Sequence, residues 1–390
     1  MKTHGKPYVI FIFLLFFAAC ATGKTPEVVE VFYPDPPVPA RLQFLTSFTG
    51  EGDIAGQRSA FEAYITGIKE SKRRLDKPYG VAIWGGKIYV SDLNQGIVIF
   101  DLEKKTYSLL AGAQGMGKLL QPVNIRVDAD GTKYVADPLR GQVVVFDRND
   151  FFVTAFGSPD AWKPVDALPY ENELYVADMQ NAQVTVVDKK SGGVLRRIGP
   201  EAEPAHRLSR PTNLAFDSEG HLYVSDAGRF QVVKYDRDGH FLGTIGDVGS
   251  ESGTFARPKG IAVDRSDRLY VIDAAFGNVQ IFNKEGYLLL FFSKSGKGPG
   301  DTDLPSQVAV DYDHIRYFQQ YANRSFEIES LVIVANQFGS KMINVYGYGR
   351  ELGKKYPSDA ELLEQLKARV QKSQREQTPE QTREPEKERQ

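Results

Sequence analysis

The chain has 390 residues, 42% of them hydrophobic and 25% charged, which is ample apolar material for a large globular core. Its formal net charge of −2 excludes a global basic field of the kind that attracts nucleic acid, and no nucleic-acid partner is expected. A single cysteine excludes an intrachain disulfide and a cysteine-based metal cluster, while 36 Gly with 24 Phe and 19 Tyr favour strands and tight turns over helices.

Residues 1–19 read as a processing segment. Lys2 and Lys6 make a basic start, and Tyr8–Phe17 is an apolar run too short to span a bilayer. The run ends in Phe17-Ala18-Ala19-Cys20, which resembles a bacterial lipobox; the resemblance implies cleavage before Cys20 and a lipid on its thiol. Each buried acyl methylene adds about 0.8 kcal/mol, so more than one chain holds a protein firmly on a membrane. Ala21 follows, and the absence of Asp there resembles the outer-membrane sorting pattern of Gram-negative bacteria. A lipid-anchored protein of the cell envelope, at the outer membrane, is the expectation. Residues 20–40, with Pro34, Pro36, Pro37 and Pro39, read as a semi-rigid tether.

Gln43–Phe48 has the pattern of a strand, and Phe61–Lys69 that of a short connecting helix. From there self-similarity dominates. Pro78, Pro122, Pro164, Pro211, Pro258 and Pro305 each open a comparable unit, at spacings of 44, 42, 47, 47 and 47 residues. The unit RPTNLAFDSEGHLYVSDAGRFQVVKYDRDGHFLGTIG shows the local grammar. Leu214–Phe216 is a first strand, Asp217–Gly220 a hairpin turn, Leu222–Val224 a second strand ending at Asp226, Gln231–Tyr235 a third, and Phe241–Ile245 a fourth. Runs such as Val143–Phe146 are apolar without alternation, as strands are when both sheet faces are covered. One such sheet is unstable alone, whereas six in a ring cover one another. The sixth unit has Val308–Val310, Leu331–Val334 and Met342–Tyr346 but no fourth strand, so Gln43–Phe48 is expected to complete it. The fold class is therefore all-β: a six-bladed β-propeller of four-stranded antiparallel blades over residues 41–349, closed by an N-terminal strand.

The pattern of proline, two residues, a small apolar strand, then Leu-Tyr-Val-Ala/Ser-Asp and a Phe-Asp strand end resembles the NHL repeat. It stands at Ile88–Asp92, Lys133–Asp137, Leu174–Asp178, Leu222–Asp226 and Leu269–Asp273. The sixth unit departs, with Asn336 in place of the aspartate and an insert over Asp313–Glu329. The resemblance implies a membrane-anchored propeller lipoprotein that acts as a protein- or ligand-binding scaffold at the cell envelope, in settings such as extracellular cytochrome or polysaccharide assembly.

Four residue sets carry candidate chemistry. The recurring Asp92, Asp137, Asp178, Asp226 and Asp273 read as acceptors of backbone N–H groups, since the repeat spreads them around the ring. Two residues past each proline, Gly80, Asn124, Asp166, Asn213, Gly260 and Gln307 should ring the channel mouth. Just before the prolines, Lys77, Lys163, Arg210 and Arg257 form a candidate ligand rim with Gln121 and Leu304, suited to an anionic partner such as a uronic polysaccharide, a haem propionate edge or an acidic protein face. The five histidines lack metal-ligand spacing, so no metal or cofactor is expected. The alternative is a lyase or hydrolase at the mouth, using Asp166 with Lys77, Lys163 or Arg210; the leading expectation is a non-enzymatic monomer.

The insert is expected to place Ile315, Phe318 and Ala322 on one helical face against the propeller, with its aromatic residues as a second, partner-binding reading. Residues 350–390 read as a charged helix and tail, with Ser358 and Glu361 as a capping box.

Overall fold

In the computed structural model, which describes residues 30–55, 73–200, 203, 206–358, 361–365, 367 and 368, each proline-led unit is an antiparallel sheet of four strands. The leader, Cys20 and the helix expected over Phe61–Lys69 lie outside the described residues. The fourth unit has strands Pro211–Phe216, Leu222–Asp226, Gln231–Tyr235 and Phe241–Ile245, joined in hairpin register. Its first turn needs glycine: Gly220 holds φ +81°, and its N–H closes on the Asp217 carbonyl. The innermost strands begin Pro78, Asn124, Pro164, Pro211, Pro258 and Pro305, and each touches the next around the circle, the last touching the first. The result is a six-bladed β-propeller.

Apolar runs without alternation are explained by what each strand touches. Leu222 and Val224 enter the core shared with the third blade, whereas Tyr223 between them enters the core shared with the fifth. All three are buried. Each such side chain contributes about 1.5–3 kcal/mol on burial, but only when a neighbouring blade stands on both sides.

The last blade is built from Pro305–Asp311, Phe326–Asn336, Ile343–Glu351 and then Leu42–Phe48, which lies antiparallel to Ile343–Glu351. The expected clasp is therefore present, with Leu42 wholly buried. A further strand was not legible: Phe32–Tyr33 adds to the outside of Leu42–Phe48, inside the proline-rich stretch read as a tether, and the Tyr33 hydroxyl donates to the Gly300 carbonyl.

The recurring aspartates are latches. Asp226, fully buried, accepts from the backbone N–H groups of Ser209, Arg210 and Gly228 at 2.6, 2.8 and 3.0 Å. Asp92, Asp137, Asp178 and Asp273 bind the equivalent segment before their own prolines. In the sixth blade Asn336 donates to the Lys341 carbonyl instead.

The insert differs from the single helix expected. It holds a four-residue helix, Ile315–Phe318, a 3-10 turn over Gln319–Tyr321, and the early start of the second strand at Phe326. Phe318 is buried against Phe48 of the clasp, which is the packing role expected for it. At the other end Ser358 and Glu361 form the capping box, each side chain accepting from the other's backbone N–H, before a helical segment from 361.

Candidate functional site at the channel mouth

The six positions two past the prolines come together in the channel, but below its mouth and closed upon themselves. Asn124, Asp166, Asn213 and Gln307 are each at most 1% exposed. Asp166 is the hub. It accepts from Asn124 Nδ2 at 2.8 Å, from the backbone N–H of Ala167 and Leu214 at 2.9 Å each, and from Arg126 Nε and Nη2 at 2.9 and 2.6 Å. The Asn213 and Gln307 amides are satisfied when the Gln307 oxygen accepts from Arg126 Nη2 at 3.1 Å and its nitrogen donates to Asn213 at 2.9 Å. The network crosses from the second blade to the third, fourth and sixth.

The two remaining positions are glycine for a steric reason. A Cβ on Gly80 would lie 2.4 Å from Asn124 Oδ1, and one on Gly260 would lie 2.6 Å from Gln307 Cα. The larger residues of this layer thus lean into space that the glycines leave. The layer is a polar plug rather than an open ring, which revises its expected place at the mouth. Arg126 was missed in the sequence. It stands two residues beyond Asn124, on the same side of an inner strand, where the other blades carry Ala82, Leu168, Ala215, Ala262 and Ala309. Below it the channel opens into a cavity of about 240 Å³, bounded by Ile83, Leu168 and Val310 among others.

Above the plug lies the cationic mouth. Lys163, Arg210 and Arg257 are exposed and Lys77 is half-buried. Phe338, 46% exposed, fills the side of the sixth blade, with Lys77 Nζ 5.6 Å from its ring centre. A fifth cation joins them. Lys259, one residue past Pro258, is 6% exposed and its Nζ lies 5.0 Å from the centre of the Tyr79 ring. Burial, followed by repulsion from Arg257 and Lys77, pushes the Lys259 ammonium down to about 8. Burial raises the Tyr79 phenol, and Arg257 opposes that shift. Asp166 finds its partners in the plug, and none of them is Lys77, Lys163 or Arg210.

The histidines are engaged in local contacts. His221 and His240 bind Asp217 and Asp236 beside hairpin turns, His314 binds Asp311 and accepts from the Gly86 N–H, and His206 stacks on Phe241. Among the described residues no group of three or more His, Cys, Asp or Glu side chains is placed to hold a metal, and no helix is long and apolar enough to cross a membrane.

Comparison with known proteins bears on the fold. No protein-family model matches the chain, and no curated protein matches it. Among solved structures, a protein of unknown function from Bacteroides thetaiotaomicron superposes with a TM-score of 0.56 at 15% identity, covering 78% of this chain and 75% of its own. A catalytically inactive virginiamycin B lyase from Staphylococcus aureus gives 0.48 at 12% identity, over 70% of this chain and 94% of its own. A gluconolactonase from Xanthomonas campestris gives 0.45 at 17% identity, over 70% and 86%. The class defined is that of six-bladed β-propellers.

Proposed function

We propose that this protein is an NHL-repeat propeller lipoprotein, held at the cell envelope by a lipid on Cys20, which binds an anionic partner at its cationic mouth and catalyses no reaction. The observation that carries the reading is charge without compensation. Lys77 and Arg257 both repel Lys259, which lies over the Tyr79 ring, and no ion pair to any of the three occurs among the described residues. Exposed Lys163 and Arg210 extend the row of cationic side chains round the rim, above latch aspartates that are buried against the backbone. The plug beneath supports binding over turnover, because its one carboxylate hub is already saturated by donors.

The test is capture from the native envelope by the lipidated protein, beside a variant carrying Lys163→Glu and Arg210→Glu. The wild type should retain a partner that is released as salt rises, and the variant should lose it. Identical captured sets would overturn the rim reading. Cys20→Ala should release the protein from the membrane fraction; a variant that stays bound would overturn the anchor.

A further inference from the structure

Lys259 breaks a rule of the inner strands. At its position the other blades carry Tyr79, Val123, Val165, Thr212 and Ser306, none of them charged. A nearly buried lysine is expected to have a carboxylate or several acceptors around it, because desolvating an unpaired ammonium is costly. Its amine has neither a hydrogen bond nor an ion pair among the described residues, and it is not among the fully enclosed unpartnered atoms. Its neighbours aggravate the cost: Lys77 and Arg257 are both cations. Only the Tyr79 ring face compensates in part. On the plug side the next residue, Gly260, packs on Gln307. An anion can reach the amine from the mouth side.

We propose that Lys259, with Lys77 and Arg257, binds one carboxylate of an external ligand, seated over Tyr79 at the channel mouth. This rests on the reading of the mouth as a binding face and specifies what the deepest part of it takes. The group is a carboxylate from a free small acid or from a sugar acid of a glycan, the exposed face of Phe338 offering a ring a platform beside Lys77. Binding is linked to protonation. Burial and the two cations push the Lys259 ammonium down to about 8, and an anion beside it favours the protonated form.

The experiment is calorimetric titration of the purified protein with acetate, glucuronate, an oligoglucuronate and, as a neutral control, glucose, in two buffers of different ionisation enthalpy. At pH 8 the carboxylates should bind with uptake of about half a proton, falling towards none at pH 6, and affinity should weaken by up to about tenfold per unit above pH 8. Lys259→Met and Lys259→Gln should both abolish the uptake while melting at or above the wild-type temperature. Tighter binding of glucuronate than of acetate supports a sugar acid as the source, and equal binding supports a free small acid. Buffer-independent heats in the wild type, or uptake that survives both substitutions, would overturn the proposal. If the Lys163→Glu, Arg210→Glu variant loses oligoglucuronate while the Lys259 signal is silent, the rim reading stands and the pocket falls.

Discussion

Arg126→Met is the sharpest perturbation of the channel. The substitution keeps an unbranched apolar stem in place and removes the guanidinium. Asp166, wholly buried, then loses two charge-assisted bonds at 2.9 and 2.6 Å, and the Leu214 carbonyl loses its Arg126 donor at 2.9 Å. Breaking a buried ion pair by removing one partner costs about 3–5 kcal/mol, because the other charge remains in a dry place. Asp166 keeps Asn124 and two backbone N–H groups, so the lower end, about 3 kcal/mol, is expected. Guanidinium denaturation followed by the fluorescence of Trp84 and Trp162 measures it. Adding Asp166→Asn should recover part of it at neutral pH. A loss below about 1 kcal/mol, or no recovery when Asp166→Asn is added, would show that the pair is not what closes the channel.

Further outcomes follow from the same geometry. Gly80→Ala should destabilise by about 1–3 kcal/mol in thermal denaturation, because its Cβ would collide with Asn124 and Ser91. Leu42→Ala, at the wholly buried start of the clasp, should cost about 2–5 kcal/mol and speed unfolding. Asp226→Ala leaves three backbone N–H groups without their acceptor and should cost about 3 kcal/mol, whereas Lys294→Ala, on the surface, should cost almost nothing. Glu173 is held at about 2, first by its hydrogen bonds from Arg196, so the stability it lends is complete above pH 4.5 and lost as pH falls towards 2. Glu173→Gln should flatten that part of the acid-unfolding profile.

Blade number, strand order and clasp were legible because they repeat. The proline and the aspartate form a backbone latch in five of the six units, and a latch needed that often writes itself into the sequence. The same logic hid the parts that matter for binding. Arg126 and Lys259 each occur in one blade only, so no period announces them. The trace that could have found them is a single cation in an otherwise apolar inner strand, as in Pro258-Lys259-Gly260-Ile261-Ala262-Val263 and Asn124-Ile125-Arg126-Val127. The plug was half-legible: its six positions follow from the repeat, but their mutual closure depends on side chains from blades far apart in the chain. Phe32–Tyr33 was hidden for another reason, since two residues among prolines carry no alternation to read.

The clasp also constrains how the molecule can be made. Leu42–Phe48 is among the earliest parts of the propeller to leave the ribosome, and its partner Ile343–Glu351 among the latest. The circle cannot lock until both strands exist, so the final seal requires the chain through to the end of Ile343–Glu351. Quality control that senses an unpaired early strand would thus discriminate finished from unfinished copies.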